Sequence, residues 1–219
     1  MSPWFTRRRL LAVTALAVLV ALVVVGVLGL VRGRAPAPGR AASSGTAGPS
    51  DGSAEATVSP AAALSSGDGV SFARAVAATL FDWDTATTAG PTTIVQALTA
   101  VGDPGEDLPG LAADLRGWLP TTEQWTQLRT YGTRQRLDVT TARVPDSWAA
   151  ILAYPANHLV AGTVAVTIDG VRVREGSWFA QTTTSRSPVA LTVFALCPPA
   201  TNDGACRLLR LSGPDTPLR

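Results

Sequence analysis

The sequence predicts an α+β fold behind one membrane span: a single N-terminal transmembrane helix, a disordered linker, then helices packed on a curved, cone-like antiparallel sheet. Three observations carry that expectation. Residues 10–31 form an apolar run with no charge, Asn, Gln or Pro. Residues 32–69 are dominated by Ala, Gly, Ser and Pro. Beyond residue 70, apolar residues recur first at helical spacing and later at every second position, which reads as helices followed by strands.

The apolar run spans 22 residues, which as helix covers the roughly 30 Å hydrocarbon layer. Arg7, Arg8 and Arg9 precede it, and Arg32, Arg34 and Arg40 follow it more sparsely. Positive charge is retained on the cytoplasmic side, so residues 1–9 are expected as a cytoplasmic stub and the C-terminal domain as extracytoplasmic. Trp4 and Phe5 then lie at the inner membrane interface. Two other readings exist. A cleaved secretory signal has a shorter apolar core and a small-residue cleavage site, and Arg32-Gly33-Arg34-Ala35-Pro36 offers none. Thr6-Arg7-Arg8-Arg9-Leu10-Leu11 is similar to a twin-arginine export signal. An uncleaved signal anchor in the cell membrane suits the length and hydrophobicity best. Ala17 and Ala21 form a small-xxx-small pair on the span, the one sequence feature that suits a homo-oligomer there.

Residues 32–69 cannot bury enough apolar surface to offset the entropy of ordering, so they read as a flexible tether. Residues 70–219 are long enough for one domain with a real core. All 18 cations are arginine, a usage that points to a very GC-rich genome of actinobacterial type. Beyond residue 70, 12 arginines face 13 acidic residues. A nucleic-acid binder usually carries a basic excess or stripe, so direct nucleic-acid binding is not expected.

The domain opens on helical spacing. Phe72, Val76, Leu80 and Trp83 predict a long helix capped by Asp68 or Ser71. Ile94, Leu98 and Val101 predict a second behind Pro91, and Leu111 to Trp118 a third. Thr121 and Gln124 have capping-box spacing before a fourth, which stops near Gly132. Alternation then sets in: Gln135, Leu137, Val139 and Thr141 against Arg136, Asp138 and Thr140. Val164, Val166 and Ile168 lead into Asp169-Gly170, a strong two-residue hairpin signal, and Val171 and Val173 resume the alternation. Two last runs, residues 191–196 and 207–211, flank a Pro-rich loop that begins and ends on the chain's two cysteines, Cys197 and Cys206. Strands joined there bring the cysteines together. An oxidising compartment would close them as a disulfide, and a reducing one would leave two buried thiols. One sheet face is expected to curl around the long helix, with the arginine-bearing face left to solvent.

This layout resembles the bitopic inner-membrane assembly factors of type IV secretion, including the Gram-positive TcpC-type conjugation proteins. The resemblance is carried by Phe72-Ala73-Arg74-Ala75-Val76-Ala77, Leu119-Pro120-Thr121, residues 133–144 and residues 162–174. It implies a nuclear-transport-factor-2-like extracytoplasmic domain and a non-enzymatic scaffold without cofactor. The implied partners are other membrane proteins of a transfer or transport complex. Mce-associated membrane proteins are similar to the same layout nearly as closely. They imply the alternative of a membrane-anchored lipid or small-molecule binding module.

Each candidate site has a bland counterpart. Arg134, Arg136, Arg172 and Arg174 could form a positive stripe that docks an acidic partner, or simply be the wet face of an amphipathic sheet. His158 is the only histidine, and no G-x-S-x-G elbow accompanies it, so no catalytic residue is assigned. Asp82-Trp83-Asp84 resembles a metal-binding D-x-D, yet on a helix i and i+2 do not share a face. Solvated carboxylates around a buried Trp83 are expected instead. Asp103, Glu106 and Asp107 sit in a Pro/Gly loop without the EF-hand pattern, and two cysteines with one distant histidine make no zinc set, so no metal ligand is assigned. Trp118, Trp125, Trp148 and Trp178 read as core or rim, with a ligand groove lined by them as the alternative.

Overall fold

The computed structural model describes residues 60–219, apart from positions 157, 180 and 215. The expected stub (1–9), membrane span (10–31) and most of the linker (32–69) lie outside the described residues. Among the described residues, no helix is long and apolar enough to cross a membrane.

A short helix α1 (Pro60–Ala63) leads to α2 (Gly69–Phe81), whose N-terminus is capped by Asp68 through its Oδ1 and the Ser71 amide, 2.8 Å apart. Packing begins before residue 70. Leu64 lies against the core, and the Ser66 carbonyl accepts from the Cys206 amide at 2.8 Å. The helix stops at Phe81, so Trp83 belongs to a two-residue strand, β1 (Trp83–Asp84). Helices α3 (Pro91–Thr99), α4 (Leu108–Trp118) and α5 (Thr122–Thr130) follow. Pro91 opens α3 with its φ already set for helix. At α5 the Thr121–Gln124 capping box forms in both directions. Gly132 ends that segment at φ +54°, a conformation that favours glycine.

Strands β2 (Arg134–Arg143), β3 (Thr163–Trp178), β4 (Gln181–Leu196) and β5 (Arg207–Leu211) complete an antiparallel five-stranded sheet in the order β1-β2-β3-β4-β5. The expected hairpin at Asp169-Gly170 is absent. β3 runs straight through it, paired to β2 on one side and β4 on the other. Gly170 serves a close approach instead of a turn: a Cβ there would meet the Asp138 carbonyl oxygen at 2.7 Å, beside the β2 bulge at Val139–Thr141. The chain turns after Trp178, where Phe179 has φ +47° and is almost fully exposed.

The inner face of the sheet presents Leu137, Val166, Ile168, Leu191, Val193 and Leu208 to α2, which buries Phe72, Val76, Leu80 and Phe81 against them. α3, α4 and α5 add Ile94, Leu98, Leu111, Leu115 and Trp125 to the same core. The outer face is not left wholly to solvent. An unexpected helix, α6 (Ser147–Ala153), sets Trp148 against Phe194, with ring centroids 6.1 Å apart. The last residues cross the outer face as well: Thr167 Oγ1 donates to the Leu218 carbonyl (2.7 Å), and the Leu218 amide donates to Thr192 Oγ1 (2.8 Å). Thr167 and Thr192 are thereby buried without a polar debt. The cysteine loop is closed by a Cys197–Cys206 disulfide, with Cα atoms 4.2 Å apart.

Candidate functional site

Register decides where the four arginines go. In an antiparallel pair, residues directly opposite share a face. Arg134 faces Glu175 and Arg136 faces Val173, whereas Arg172 faces Leu137 and Arg174 faces Gln135. The single positive stripe is therefore corrected to two pairs on opposite faces, because the β2 arginines are out of step with the β3 arginines.

The outer pair is neutralised. Arg134 Nε lies 3.0 Å from Asp84, and Arg136 bridges Asp138 (2.9 Å) and Glu175 (3.3 Å). Arg186 of β4 approaches Asp138 at 3.9 Å. Val173, directly opposite Arg136 on the same face, is buried. The ion pairs are surface pairs of small energetic worth.

The inner pair is different. Arg172 and Arg174 project from the same face of β3, and among the described residues neither has a carboxylate within ion-pairing distance. Arg172 donates from Nε to Ser187 Oγ (3.2 Å). Arg174 donates from Nε to Gln135 Oε1 (2.6 Å), and Gln135 is held in turn by donation from Nε2 to the Phe81 carbonyl (3.0 Å). The Arg174 guanidinium lies 5.6 Å from the Trp83 ring centroid, and Trp83 packs on Trp125 with centroids 4.8 Å apart. Burial first, and the Arg172 charge second, pull Arg174 below the usual arginine range. The indole N–H groups of Trp83 and Trp125 are buried with no hydrogen-bond partner. A recess of about 420 Å³ opens beside this group, walled by Leu128, Tyr131, Thr133, Arg174 and Trp178, and by Glu175, whose carboxylate is already paired with Arg136. Tyr131 and Trp178 meet there at a 5.2 Å centroid distance.

The arrangement is rich in donors and in apolar wall. That is the chemistry of anion recognition by a desolvated, aromatic-stacked arginine. Arg174 and Trp178 are legible as candidates in the sequence, but Tyr131 and Thr133, which complete the recess, carry no signal of their own.

The other candidates are placed apart. Asp82 caps the C-terminus of α2 and Asp84 lies on β1. Each carboxylate serves the backbone: Asp82 Oδ1 accepts from the Leu137 amide and Asp84 Oδ1 from the Ala86 amide, both at 2.8 Å. Desolvation raises the Asp82 carboxyl above its ordinary range, with the Asp138 charge adding to the effect. The residue as a whole is exposed, so the upward shift is modest in consequence. Asp103 Oδ1 accepts from the Gly105 amide inside its own loop. Among the described residues no three His, Cys, Asp or Glu side chains are grouped to hold a metal ion. His158 is exposed in the α6–β3 loop. The tryptophans do not line one groove: Trp118 donates from Nε1 to the Ser212 carbonyl (2.9 Å), Trp148 serves α6, Trp125 is in the core and Trp178 is at the hairpin end.

No protein-family model matches this chain, and no curated protein matches it significantly.

Proposed function

We propose that this chain is a membrane-anchored, non-enzymatic assembly subunit of a conjugative, type IV secretion-like apparatus. In this reading its extracytoplasmic domain works by protein contact, gripping an acidic segment of a neighbouring membrane subunit at Arg172 and Arg174. One observation carries the reading: among the described residues neither Arg172 nor Arg174 has an acidic partner, and Arg174 lines an apolar recess, while the arginines of the opposite face are already paired. A half-buried cation left uncompensated within its own fold is most stable when a partner supplies the anion. The disulfide agrees with an extracytoplasmic domain.

The test is in-cell crosslinking of tagged full-length protein, followed by mass spectrometry. The reading expects transfer ATPases or channel subunits to be recovered with the wild type and lost with Arg172→Glu. The compensated-face variant Arg134→Glu should retain them. Recovery of unrelated proteins, or equal recovery with both variants, defeats it.

The recess also favours a second reading, a module that binds an anionic lipid or small amphiphile, with its head on Arg174 and its tail between Leu128 and Trp178. Native mass spectrometry of the purified protein that finds a bound lipid would select this one.

A further inference from the structure

β4 is sixteen residues long, but only its last part has a second neighbour. β5 pairs with Val193–Leu196, and the Ser212 amide extends that contact to the Thr192 carbonyl. From Gln181 to Ala190 the strand is paired to β3 alone. Among the described residues, no backbone group bonds its other side. An unpaired edge of this length is a template for another strand, and proteins usually blunt one with charge, proline or a bulge.

The opposite edge of the sheet is blunted in that way. On β2, the Asp82 carboxylate occupies the Leu137 amide, a bulge interrupts Val139–Thr141, and Asp138 and Arg143 carry charge. The β4 edge is not. Gln181–Ser187 holds one charge, Arg186, and no proline until Pro188. Thr182, Thr183 and Thr184 are β-branched, and Gln181 through Arg186 are exposed.

We propose that this edge pairs antiparallel with the same edge of a second copy of the chain, about a two-fold axis at Thr184. The proline-free run Gln181–Ser187 has Thr184 as its midpoint, so this register uses every residue of the run and stops at Pro188. Thr184 then faces its counterpart, Thr183 faces Ser185, Thr182 faces Arg186 and Gln181 faces Ser187. In the central pairings, Thr184 with Thr184 and Thr183 with Ser185, hydroxyl residues oppose hydroxyl residues, a favourable cross-strand pairing. The two copies of Arg186 stand about 13 Å apart along the strands, four residues at roughly 3.3 Å each, beyond the screening length at physiological salt. Centring the axis on Arg186 would set like charges directly opposite. The chosen register also lays the exposed Phe179 turn beside Pro188 of the second copy, where its ring gains cover. The chain enters the domain at the other end of the strands, where Gly67 lies against Gly204 and Pro198. The β4 tip is therefore clear of that entry by roughly the length of a sixteen-residue strand, about 50 Å. This pairing does not depend on the transfer-apparatus reading: it uses backbone groups of the sheet edge, although Ser185 and Ser187 of the run also border Arg174 and Arg172.

The experiment uses full-length protein in detergent micelles. Thr184→Cys should give a covalent two-chain species on mild oxidation, seen on a non-reducing gel, while Thr141→Cys on the blunted β2 edge should stay single. Light scattering should report a two-chain mass for the wild type and a one-chain mass for Thr184→Lys, which opposes two ammonium groups across the axis. Association through the membrane span alone would leave the Thr184→Lys mass at two chains and Thr184→Cys no more reactive than Thr141→Cys, and either result overturns the proposal. Capture in cells of a different protein by the Thr184→Cys thiol, with no two-chain species, overturns self-pairing in favour of that partner.

Discussion

Asp169 shows how one carboxylate can hold a length of chain in place. Its Oδ1 lies 2.6 Å from Arg219 Nη1, and its Oδ2 accepts from Thr141 Oγ1 at 3.1 Å. The Arg219 hydrogen bond, foremost, holds the Asp169 carboxyl below its ordinary range, with Thr141 and the Arg143 charge assisting. A folded-state value below the unfolded value of 3.8 means that the folded protein binds fewer protons in this window. The stabilisation is therefore complete above about pH 4, near that reference value, and is lost as pH falls through the lower folded value. The pair is partly exposed, so its worth is small in total stability, about 0.2–1 kcal/mol. Its effect should be local. The Leu218 amide, which donates to Thr192 Oγ1, is the reporter. Asp169→Asn at neutral pH should raise hydrogen exchange at Leu218, after correction for intrinsic rate, to the level that wild-type protein reaches only below about pH 4. Equal protection in variant and wild type at neutral pH would mean that the ion pair does not hold the segment.

The elements differ in how much of them the sequence discloses, and the difference is physical. Helices α2, α3 and α5 are legible because their ends carry local chemistry: the Asp68 cap, Pro91 at a first turn, and the Thr121–Gln124 box. Asp169-Gly170 misleads because a turn signal is local, whereas β3 is held straight by pairing on both edges. Phe179, where the chain does turn, has none of the residues that advertise one. Gln181–Pro188 carries no strand signal because both its faces are largely exposed, so no apolar residue marks alternate positions. The candidate site is half legible for a related reason. The arginines are plain in the sequence, but the face each one occupies follows from the β2–β3 register. Gly170 gives that register a direct test. Gly170→Ala places a methyl group 2.7 Å from the Asp138 carbonyl and 3.1 Å from Leu137 Cδ1, and backbone in a bulged strand has little room to retreat. Overpacking of this kind costs about 1–3 kcal/mol. The denaturation midpoint should fall accordingly with the slope unchanged. A variant as stable as wild type would mean that β2 and β3 are not this close.

At the scale of the whole molecule, the disulfide closes the cysteine loop where the chain enters the domain. The Cys206 amide donates to the Ser66 carbonyl, Gly67 lies so close to Gly204 that a Cβ would sit 2.5 Å from its carbonyl oxygen, and a Cβ on Gly69 would meet Cys197 Sγ at 3.6 Å. Closing a loop of this length, with its cysteines nine positions apart, restricts the unfolded chain by about 2–3 kcal/mol. The double variant Cys197→Ala, Cys206→Ala should lose about that much in chemical denaturation. Its first loss of hydrogen-exchange protection should fall at the backbone amides of positions 206 and 72, which secure the entry segment and the start of α2. The same bond reports the compartment. Full-length protein taken from cells under acid quench and alkylated without reduction should carry no label on Cys197 or Cys206, and should carry two labels after reduction. Labelling before reduction would place the domain where thiols stay reduced, and the extracytoplasmic orientation argued from Arg7, Arg8 and Arg9 would fall with it.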